Sequence, residues 1–292
     1  MSDKKKHQPA LSVEAQIDNL RKIGLTIENE EYAKAILNDI SYFRLIKAYS
    51  LGLKPKNGNY YDGVTFEQIV ELYLFNANFR QLLFAEIEQI EINLRCRIAN
   101  YHSSKRGIFG YIDPTFFKSA KYHADTLKEI NKEIRRNSKA PFIKNFKENY
   151  DPPEIPMYAA VEVFSLGTLS KFFKNMVSED KKAIAKTYGV TYTYLESWFE
   201  SIAYVRNICA HYGRLYNAKL SKTPQMYREY SNKGISSIRI FGILCCMKHI
   251  LPNDQHWRDF VQSIQDLFFK YPAVDRKSMG FPDDWMMVLL DC

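Results

Sequence analysis

One long, uninterrupted helical pattern constrains the fold of this chain more than any other feature. It begins at Thr65-Phe-Glu-Gln68, where Thr65 and Gln68 can satisfy each other's free backbone amides as a capping box. It continues without Pro or Gly to about His102, with apolar residues at spacings of three and four from Leu72 to Leu94. A helix of about 37 residues would be roughly 55 Å long, the length of a whole domain. We therefore expect it to be the spine of the fold.

The rest of the chain also follows helical periodicity, and no pair of alternating strands joined by a hairpin turn is found. Ser12 is expected to begin a first helix that continues to about Lys22 and is closed by Gly24. The turn-rich segment 54–63 predicts a surface loop or a short hairpin-like excursion, and the proline-rich segment 151–156 is the strongest linker candidate. Further helices are predicted near 29–38, 123–137, 157–164, 169–176, 181–188, 194–211, 236–249 and 255–269.

These patterns predict an all-α fold in a single domain over 1–292. Within it, 1–64 would be an N-terminal helical extension, 65–217 a core that contains the motif helix described below, and 218–292 a set of C-terminal helices. The linker candidate at 151–156 need not separate domains, because apolar helical segments resume on both sides of it.

Composition limits the class of protein and its partners. Hydrophobic residues are 46% and charged residues 25%, as in ordinary globular proteins, and the net charge of +8 favours a polyanionic partner such as RNA. The longest apolar stretch, Ile240 to Met247, is too short to span a bilayer, and no secretory signal is recognised. Five cysteines without a CxxC pair predict free, mostly buried thiols in a reducing compartment. We expect a cytoplasmic protein with no membrane contact.

The segment Arg206-Asn-Ile-Cys-Ala-His211 contains side chains that could bind a phosphate and transfer protons. Arginine can hold a phosphate through two hydrogen bonds, and histidine can both accept and donate a proton near neutral pH. On a helix, Asn207 and His211 share one face, and Arg206 lies about 100° round from Asn207 at its border. The three side chains could therefore line one shallow polar site. Glu196 or Glu200 could orient the histidine or accept the arginine.

Two interpretations of this segment remain open. In the first, it cleaves RNA by transesterification: the 2′-OH attacks the adjacent phosphorus, His211 moves protons, Arg206 stabilises the developing charge, and Asn207 holds His211 or a phosphate oxygen. Downstream, Arg214 and Asn217 would add RNA contacts. In the second, the segment is an ordinary helix end whose polar side chains make caps and ion pairs.

A second pair with the same spacing, Arg97 and His102, follows Arg95 at the end of the long helix. We expect these three residues to form a solvated or RNA-contacting basic face rather than a second catalytic centre. The sequence contains no HExxH motif, glycine-rich phosphate loop or carboxylate cluster, which argues against metalloprotease, NTPase and metal-dependent nuclease classes. No metal and no cofactor are expected.

The motif and several other segments resemble the Abi family of bacterial abortive-infection proteins, in particular its AbiD/AbiF-like group. The resemblance covers essentially the whole chain. It rests on the motif with Arg214-Leu-Tyr-Asn217 behind it and on blocks spread along the chain: Lys6 to Ser12, Ile40 to Arg44, Phe66 to Arg80, Ile87 to Arg95, Glu162 to Gly167, and Met279 to Pro282 with Trp285.

The resemblance implies a HEPN-like helical bundle and a phage-defence toxin that damages RNA. It implies Arg206 and His211 as the catalytic pair, with Asn207 as the polar residue between them. It also implies a homodimer with a composite site, and a small non-coding RNA antitoxin as a further partner. The chain departs from the family in having Tyr212 where a second His is usual, and Tyr216 where a Trp is usual. The alternative is a non-catalytic RNA-binding or sensor protein that holds a structured RNA.

Overall fold

The computed structural model of the protein describes residues 9–252 and 254–291. Within these residues all regular structure is helical, and β-type pairing is limited to three isolated bridges. The predicted all-α fold is therefore confirmed. In the same residues, no helix is long and apolar enough to cross a membrane. The start of the family-like block at Lys6 and the last cysteine, Cys292, lie outside the described part of the chain.

The α-helices found in the described residues follow the predicted order, with boundaries shifted by a few residues and additional short helices. They are α1 Val13–Lys22, α2 Glu30–Asp39, α3 Phe66–Arg106, α4 Ala120–Arg136, α5 Pro141–Asn149, α6 Met157–Ala160, α7 Leu166–Asn175, α8 Ser178–Lys186, α9 Tyr192–Ala210, α10 Arg228–Asn232, α11 Ile240–Lys248, α12 Gln255–Lys270 and α13 Trp285–Leu290.

The chain divides into two compact units, of which the first comprises residues up to Phe79 and Asp266–Asp275. Its α1 begins where predicted, since the Ala15 amide donates to Ser12 Oγ at 3.2 Å, and Gly24 follows the helix with a φ of +84°. The predicted capping box is also present: the Thr65 amide donates to Gln68 Oε1 at 3.2 Å, and the Gln68 amide to Thr65 Oγ1 at 3.1 Å.

The core of the first unit is aromatic. Phe75 is fully buried and stacks on Phe79 and Phe268, with ring centroids 5.7 Å and 5.5 Å away. Beside this stack, Asn78 Nδ2 donates to the Tyr271 hydroxyl at 2.6 Å. Aromatic residues in this part of the sequence therefore fill helix interfaces.

The second unit comprises Arg80–Gln265 and Arg276–Cys292. The predicted spine is a single helix: α3 has 41 residues and ends at Arg106, where Gly107 adopts a φ of +83°. The proline-rich segment 151–156 lies within this unit, with helices on both sides. The predicted division of one domain into 1–64, 65–217 and 218–292 stays a prediction.

Polar contacts show how α3 is paired within the second unit. Arg80 donates to the carbonyl of Gly213 at 3.0 Å, the Arg97 guanidinium lies 3.9 Å from the ring centroid of Tyr188, and Arg106 donates to Asp180 at 2.8 Å. Residues further along α3 thus contact residues progressively earlier in the 180–213 segment. That segment, which includes α8 and α9, therefore runs antiparallel to α3.

Helix α9 is the second main element of this unit. It packs against α7, α8 and α11, and α7 in turn packs against α4. The rings of Phe173 on α7 and Phe199 on α9 meet edge to face, with centroids 5.5 Å apart, and both side chains are fully buried. The end of α9 is consequently held from several sides.

The cysteines behave largely as predicted. Cys209, Cys245 and Cys246 are buried and unbridged, and burial raises the pKa of the Cys209 and Cys245 thiols to about 12. Cys96 on α3 departs from the expectation, because it is exposed.

We predict that the buried ion pair between α3 and α8 is a major source of stability. Asp180 is fully buried and accepts from Arg106 and from the Tyr101 hydroxyl. Arg106→Ala would leave this carboxylate without its cation, which should lower the free energy of unfolding by about 3 kcal/mol. Lys105→Ala removes an exposed cation 3.5 Å from Glu179 and should change it by less than about 0.5 kcal/mol.

Urea unfolding of the two variants and the wild type measures this difference. Equal effects of Arg106→Ala and Lys105→Ala would contradict the prediction.

Candidate functional site

The motif occupies the last turn of α9, which ends in a strained cap. The Tyr212 amide donates to the carbonyl of Cys209 at 3.2 Å, and the Gly213 amide to that of Ile208 at 2.7 Å. This is the Schellman pattern, in which the residue after the C-cap is left-handed and usually glycine. Here that residue is Tyr212, with a φ of +58°. A left-handed non-glycine residue costs about 1–2 kcal/mol, so the surrounding structure must hold it.

Gly213 and Arg80 fix the chain directly after Tyr212. A Cβ atom on Gly213 would lie 2.8 Å from Ile208 Cγ2 and 3.1 Å from the Ile208 carbonyl oxygen, so the close approach requires glycine. The Gly213 carbonyl accepts from Arg80, whose residue is 8% exposed. The Arg80 guanidinium also lies 5.9 Å from the centroid of the Tyr212 ring. Helix α3 therefore anchors the end of α9.

Arg206 is directed toward α3. Its Nε lies 3.7 Å from Glu91 Oε2, and its guanidinium carbon lies 5.7 Å from the centroid of the Phe84 ring. The other Glu91 oxygen accepts from Arg95 at 2.5 Å, so one largely buried carboxylate serves two cations. The Arg206 side chain is 31% exposed, and its buried Nε has no hydrogen-bond partner among the described residues. Glu91 thus fixes the position of the Arg206 guanidinium, while not all of its N–H donors are used.

Asn207 and His211 are exposed and lie one helical turn apart, as predicted. His211 is the C-cap residue, and its amide donates to the Asn207 carbonyl at 3.0 Å. Arg206 is five positions before His211, which corresponds to about 140° around a helix. Within one copy Arg206 is therefore directed away from His211, and a site lined by all three side chains stays a prediction.

Arg214 and Asn217 organise the loop after α9. Arg214 donates to the carbonyls of Tyr216 and Asn217 at 2.7 Å and 3.3 Å. Asn217 has a φ of +47°, and its Oδ1 accepts from Arg239 at 3.2 Å. Both predicted RNA-binding residues thus have intramolecular roles, and contact with RNA stays a prediction for each.

Arg95 and Arg97 are also engaged within the chain. Besides Glu91, Arg95 contacts the carbonyl of Phe164 at 2.8 Å. Arg97 donates to Asn93 Oδ1 at 2.5 Å and to Thr187 Oγ1, and covers the Tyr188 ring. RNA binding by these two arginines likewise stays a prediction.

The prediction for His102 is wrong. This residue is fully buried, with its ring centroid 5.9 Å from that of Phe117 and 5.3 Å from that of Phe172. Burial lowers its pKa to about 4, and neither ring nitrogen has a hydrogen-bond partner among the described residues. The reason is helical spacing: His102 continues the stripe of Leu94 and Ile98, both of which are fully buried.

Arg80, Phe84 and Glu91 belong to the site, although sequence reasoning did not select them. With Arg95 they recur at intervals of four, seven and four residues, which places them on one stripe of α3. The acidic residues that were selected instead bind lysines: Glu196 pairs with Lys181, and Glu200 with Lys174 and Lys222. The signal in the sequence was the spacing of Arg80, Glu91 and Arg95, which places charged residues beside the apolar positions of a long helix.

A comparison with protein families decides the classification. The model of the family described as "Abi-like protein" matches residues 35–217, which is more than half of the chain. The chain belongs to the Abi-like protein family. No curated protein and no solved structure matches it significantly. Membership of the Abi-like family points to abortive infection, a form of phage defence.

The Abi-like match includes all of α3 and α9 and ends at Asn217. Every predicted site residue therefore lies inside the family region, as do Arg80, Phe84 and Glu91. The helices from α10 onward lie beyond it.

We predict that His102 makes stability depend on pH. Its folded pKa of about 4 lies below the ordinary value, so the unfolded chain binds a proton first as the pH falls. The group is neutral in both states above pH ~6.5, and between ~6.5 and 4 it should remove about 3 kcal/mol of stability. In His102→Phe this contribution should be absent. Urea unfolding at pH 7 and at pH 4.5 tests this, and an identical loss in both proteins would refute it.

Proposed function

We propose that this Abi-like protein is a metal-independent endoribonuclease with a HEPN-type core that acts as an abortive-infection toxin. The observation that carries the proposal is the end of α9, where Asn207 and His211 are exposed and the neighbouring residue Arg206 is held by Glu91 of α3. An imidazole can transfer the protons of phosphodiester transesterification, and a guanidinium can stabilise the charge that develops on the phosphoryl oxygens. Strain at Tyr212 is typical of functional sites, where the surrounding structure maintains it.

The reaction proceeds in a single exchange at phosphorus. The 2′-oxygen forms a bond to phosphorus as its proton passes to a base, and the bond to the 5′-oxygen breaks as that oxygen receives a proton. The products are a 2′,3′-cyclic phosphate and a 5′-OH. DNA lacks the attacking hydroxyl and should not be cleaved. His211 serves as a proton carrier, Arg206 stabilises the charge on the phosphoryl oxygens, and Asn207 orients the imidazole or a phosphate oxygen.

A homodimer would complete this site. Within one copy, Arg206 points to α3 while His211 faces outward, so a second copy against the end of α9 would supply further groups to one phosphate. Two copies would also bring two imidazoles, one to accept the proton and one to donate it. The 67% exposed Tyr212 provides apolar area beside His211 for such a contact. Target RNA is the substrate, and a small non-coding RNA antitoxin is the further partner.

A non-catalytic RNA-binding or sensor protein is the second candidate. The orientation of Arg206 toward Glu91, rather than toward His211, favours it. In this case the same residues hold a structured RNA and form no product.

We predict that His211→Ala abolishes RNA cleavage. Loss of a proton carrier should reduce the rate about 10²–10⁴-fold, and Arg206→Ala should have an effect of about 10²–10³-fold. The control His256→Gln removes another exposed imidazole and should cleave normally. Cleavage of single-stranded RNA in EDTA, with the 2′,3′-cyclic phosphate identified by mass spectrometry, measures this. Full activity of a folded His211→Ala protein would refute the site, and tight binding without products would support the second candidate.

We predict that mixing two inactive variants restores activity if the site is shared between copies. When Arg206→Ala and His211→Ala chains exchange, about half of the dimers are mixed. In a site that takes its arginine from one copy and its histidine from the other, each mixed dimer has one intact site. Activity should therefore reach about a quarter of the wild-type value, by the statistics of a twofold dimer. No recovery after confirmed exchange would rule out a site that needs one arginine from one copy and one histidine from the other, and leave a site within one copy or one that needs both imidazoles.

A further inference from the structure

The excess positive charge of this protein is concentrated in one stretch of the chain. Residues 118–147 contain nine Lys and Arg against three Asp and Glu, a net charge of +6 where the whole chain has +8. This stretch includes α4 and most of α5, and all nine cations are exposed. None of them belongs to the site at the end of α9.

Four of these cations form a single stripe on α4. Lys121, Lys128, Lys132 and Arg135 lie within about 60° of one another around the helix and extend over roughly 21 Å. None of the four has an ion pair within the described residues, whereas their neighbours Arg136 and Lys144 do. Like charges three or four positions apart destabilise a helix. The stripe therefore presents to an anionic partner four exposed cations that have no ion pair in the part of the chain that the structure describes.

The opposite face of α4 is occupied. Thr126, Ile130 and Ile134 are buried there, and this helix packs against α7. An amphipathic helix that binds a lipid surface inserts its apolar face into the bilayer, but the apolar face of α4 is already used in the core. The stripe is thus available to a partner that binds through charge alone, which a phosphate backbone does.

Three aromatic residues, two of them exposed, follow the stripe in the chain. Phe146 on α5 contacts Tyr150 and Tyr158, with ring centroids 4.9 Å and 6.3 Å away. Tyr150 and Tyr158 are 55% and 51% exposed, and Lys144 and Lys147 lie on the same helix as Phe146. Cations that track a backbone together with aromatic rings on which bases stack are typical of surfaces that bind single-stranded nucleic acid.

We propose that the outer face of α4, with the aromatic group of Phe146, Tyr150 and Tyr158, binds single-stranded RNA. The surface is separate from the α9 site, since α4 contacts the region around His102 through Phe117 and His123, and His102 lies about 16 Å along α3 from Glu91. This inference deepens the proposed function, on which it rests for the identity of the ligand. In this proposal α4 and α5 hold the RNA strand, and the end of α9 cuts it.

The test compares two sets of four substitutions in the full-length His211→Ala protein, which keeps the probe intact. The stripe variant carries Lys121→Gln, Lys128→Gln, Lys132→Gln and Arg135→Gln. The control carries Lys22→Gln, Lys56→Gln, Lys182→Gln and Arg258→Gln, which are exposed cations outside the stripe. Each set removes four of the charges that make up the net +8. The probe is a fluorescein-labelled, unstructured 20-nucleotide RNA, and anisotropy is measured over a series of KCl concentrations.

The stripe variant should bind about 100-fold more weakly at ~0.15 M salt, with a salt slope shallower by about 3, since each phosphate contact on a single strand contributes about 0.7 to the slope. The control should lose only a few-fold. Tyr150→Leu should weaken binding about tenfold, because stacking on one base is worth roughly 1–3 kcal/mol. Equal losses in the stripe and control variants would overturn the proposal.

Three further measurements separate the alternatives: binding of the duplex, binding of vesicles and cleavage of RNA by the wild type. If the duplex of the same sequence binds as tightly and Tyr150→Leu has no effect, the single-strand assignment is overturned. If the stripe variant no longer binds vesicles of phosphatidylserine and phosphatidylcholine (3:7) but binds RNA as before, the partner is a membrane and the RNA assignment is overturned.

If the wild type does not cleave RNA yet the stripe variant binds RNA more weakly, the binding surface is supported and the nuclease proposal fails. If the wild type cleaves and the stripe variant binds like the control, only the surface is wrong.

Discussion

The pairing of α3 with the antiparallel segment from α8 to the end of α9 is the constraint on which the second unit depends. Helix α3 carries largely buried charged groups at Arg80, Glu91 and Arg106. A buried charge without a partner costs several kcal/mol, so each must meet its partner when the helices dock. The partners are Gly213, Arg206 and Asp180, in descending order along the chain. A shift of α3 would break all three contacts, and a shift of α9 would break those of Arg206 and Gly213, so the register of α9 against α3 is fixed.

This register determines what the end of α9 presents to its surroundings. Arg206 is held against Glu91, while Asn207 and His211 face outward. Arg80 and the glycine at Gly213 stabilise the left-handed conformation that follows His211. Because the Abi-like family region covers both helices, this arrangement lies within the part of the chain that defines the family. In the proposed nuclease, the outward-facing Asn207 and His211 take part in RNA cleavage.

Local features of the fold could be predicted from the sequence, and features that join distant segments could not. The capping box at Thr65 and the approximate extent of α9 depend on neighbouring residues, and both were confirmed. The partner of Arg206 lies on another helix, so reasoning confined to α9 selected Glu196 and Glu200, which bind lysines. The spacing of His102 from Arg97 resembles that of the motif, but the same helix places His102 in line with the buried Leu94 and Ile98, and the packing of the core decides its environment.

Cross-linking tests the central claim, that RNA meets the exposed end of α9, most directly. Ultraviolet irradiation of the full-length His211→Ala protein with bound single-stranded RNA, followed by mass spectrometry of the peptides, would locate the contact. The account predicts an RNA adduct on the peptide that spans residues 204–214, with the exposed Tyr212 as the cross-linked side chain. Adducts confined to peptides outside that segment would contradict it.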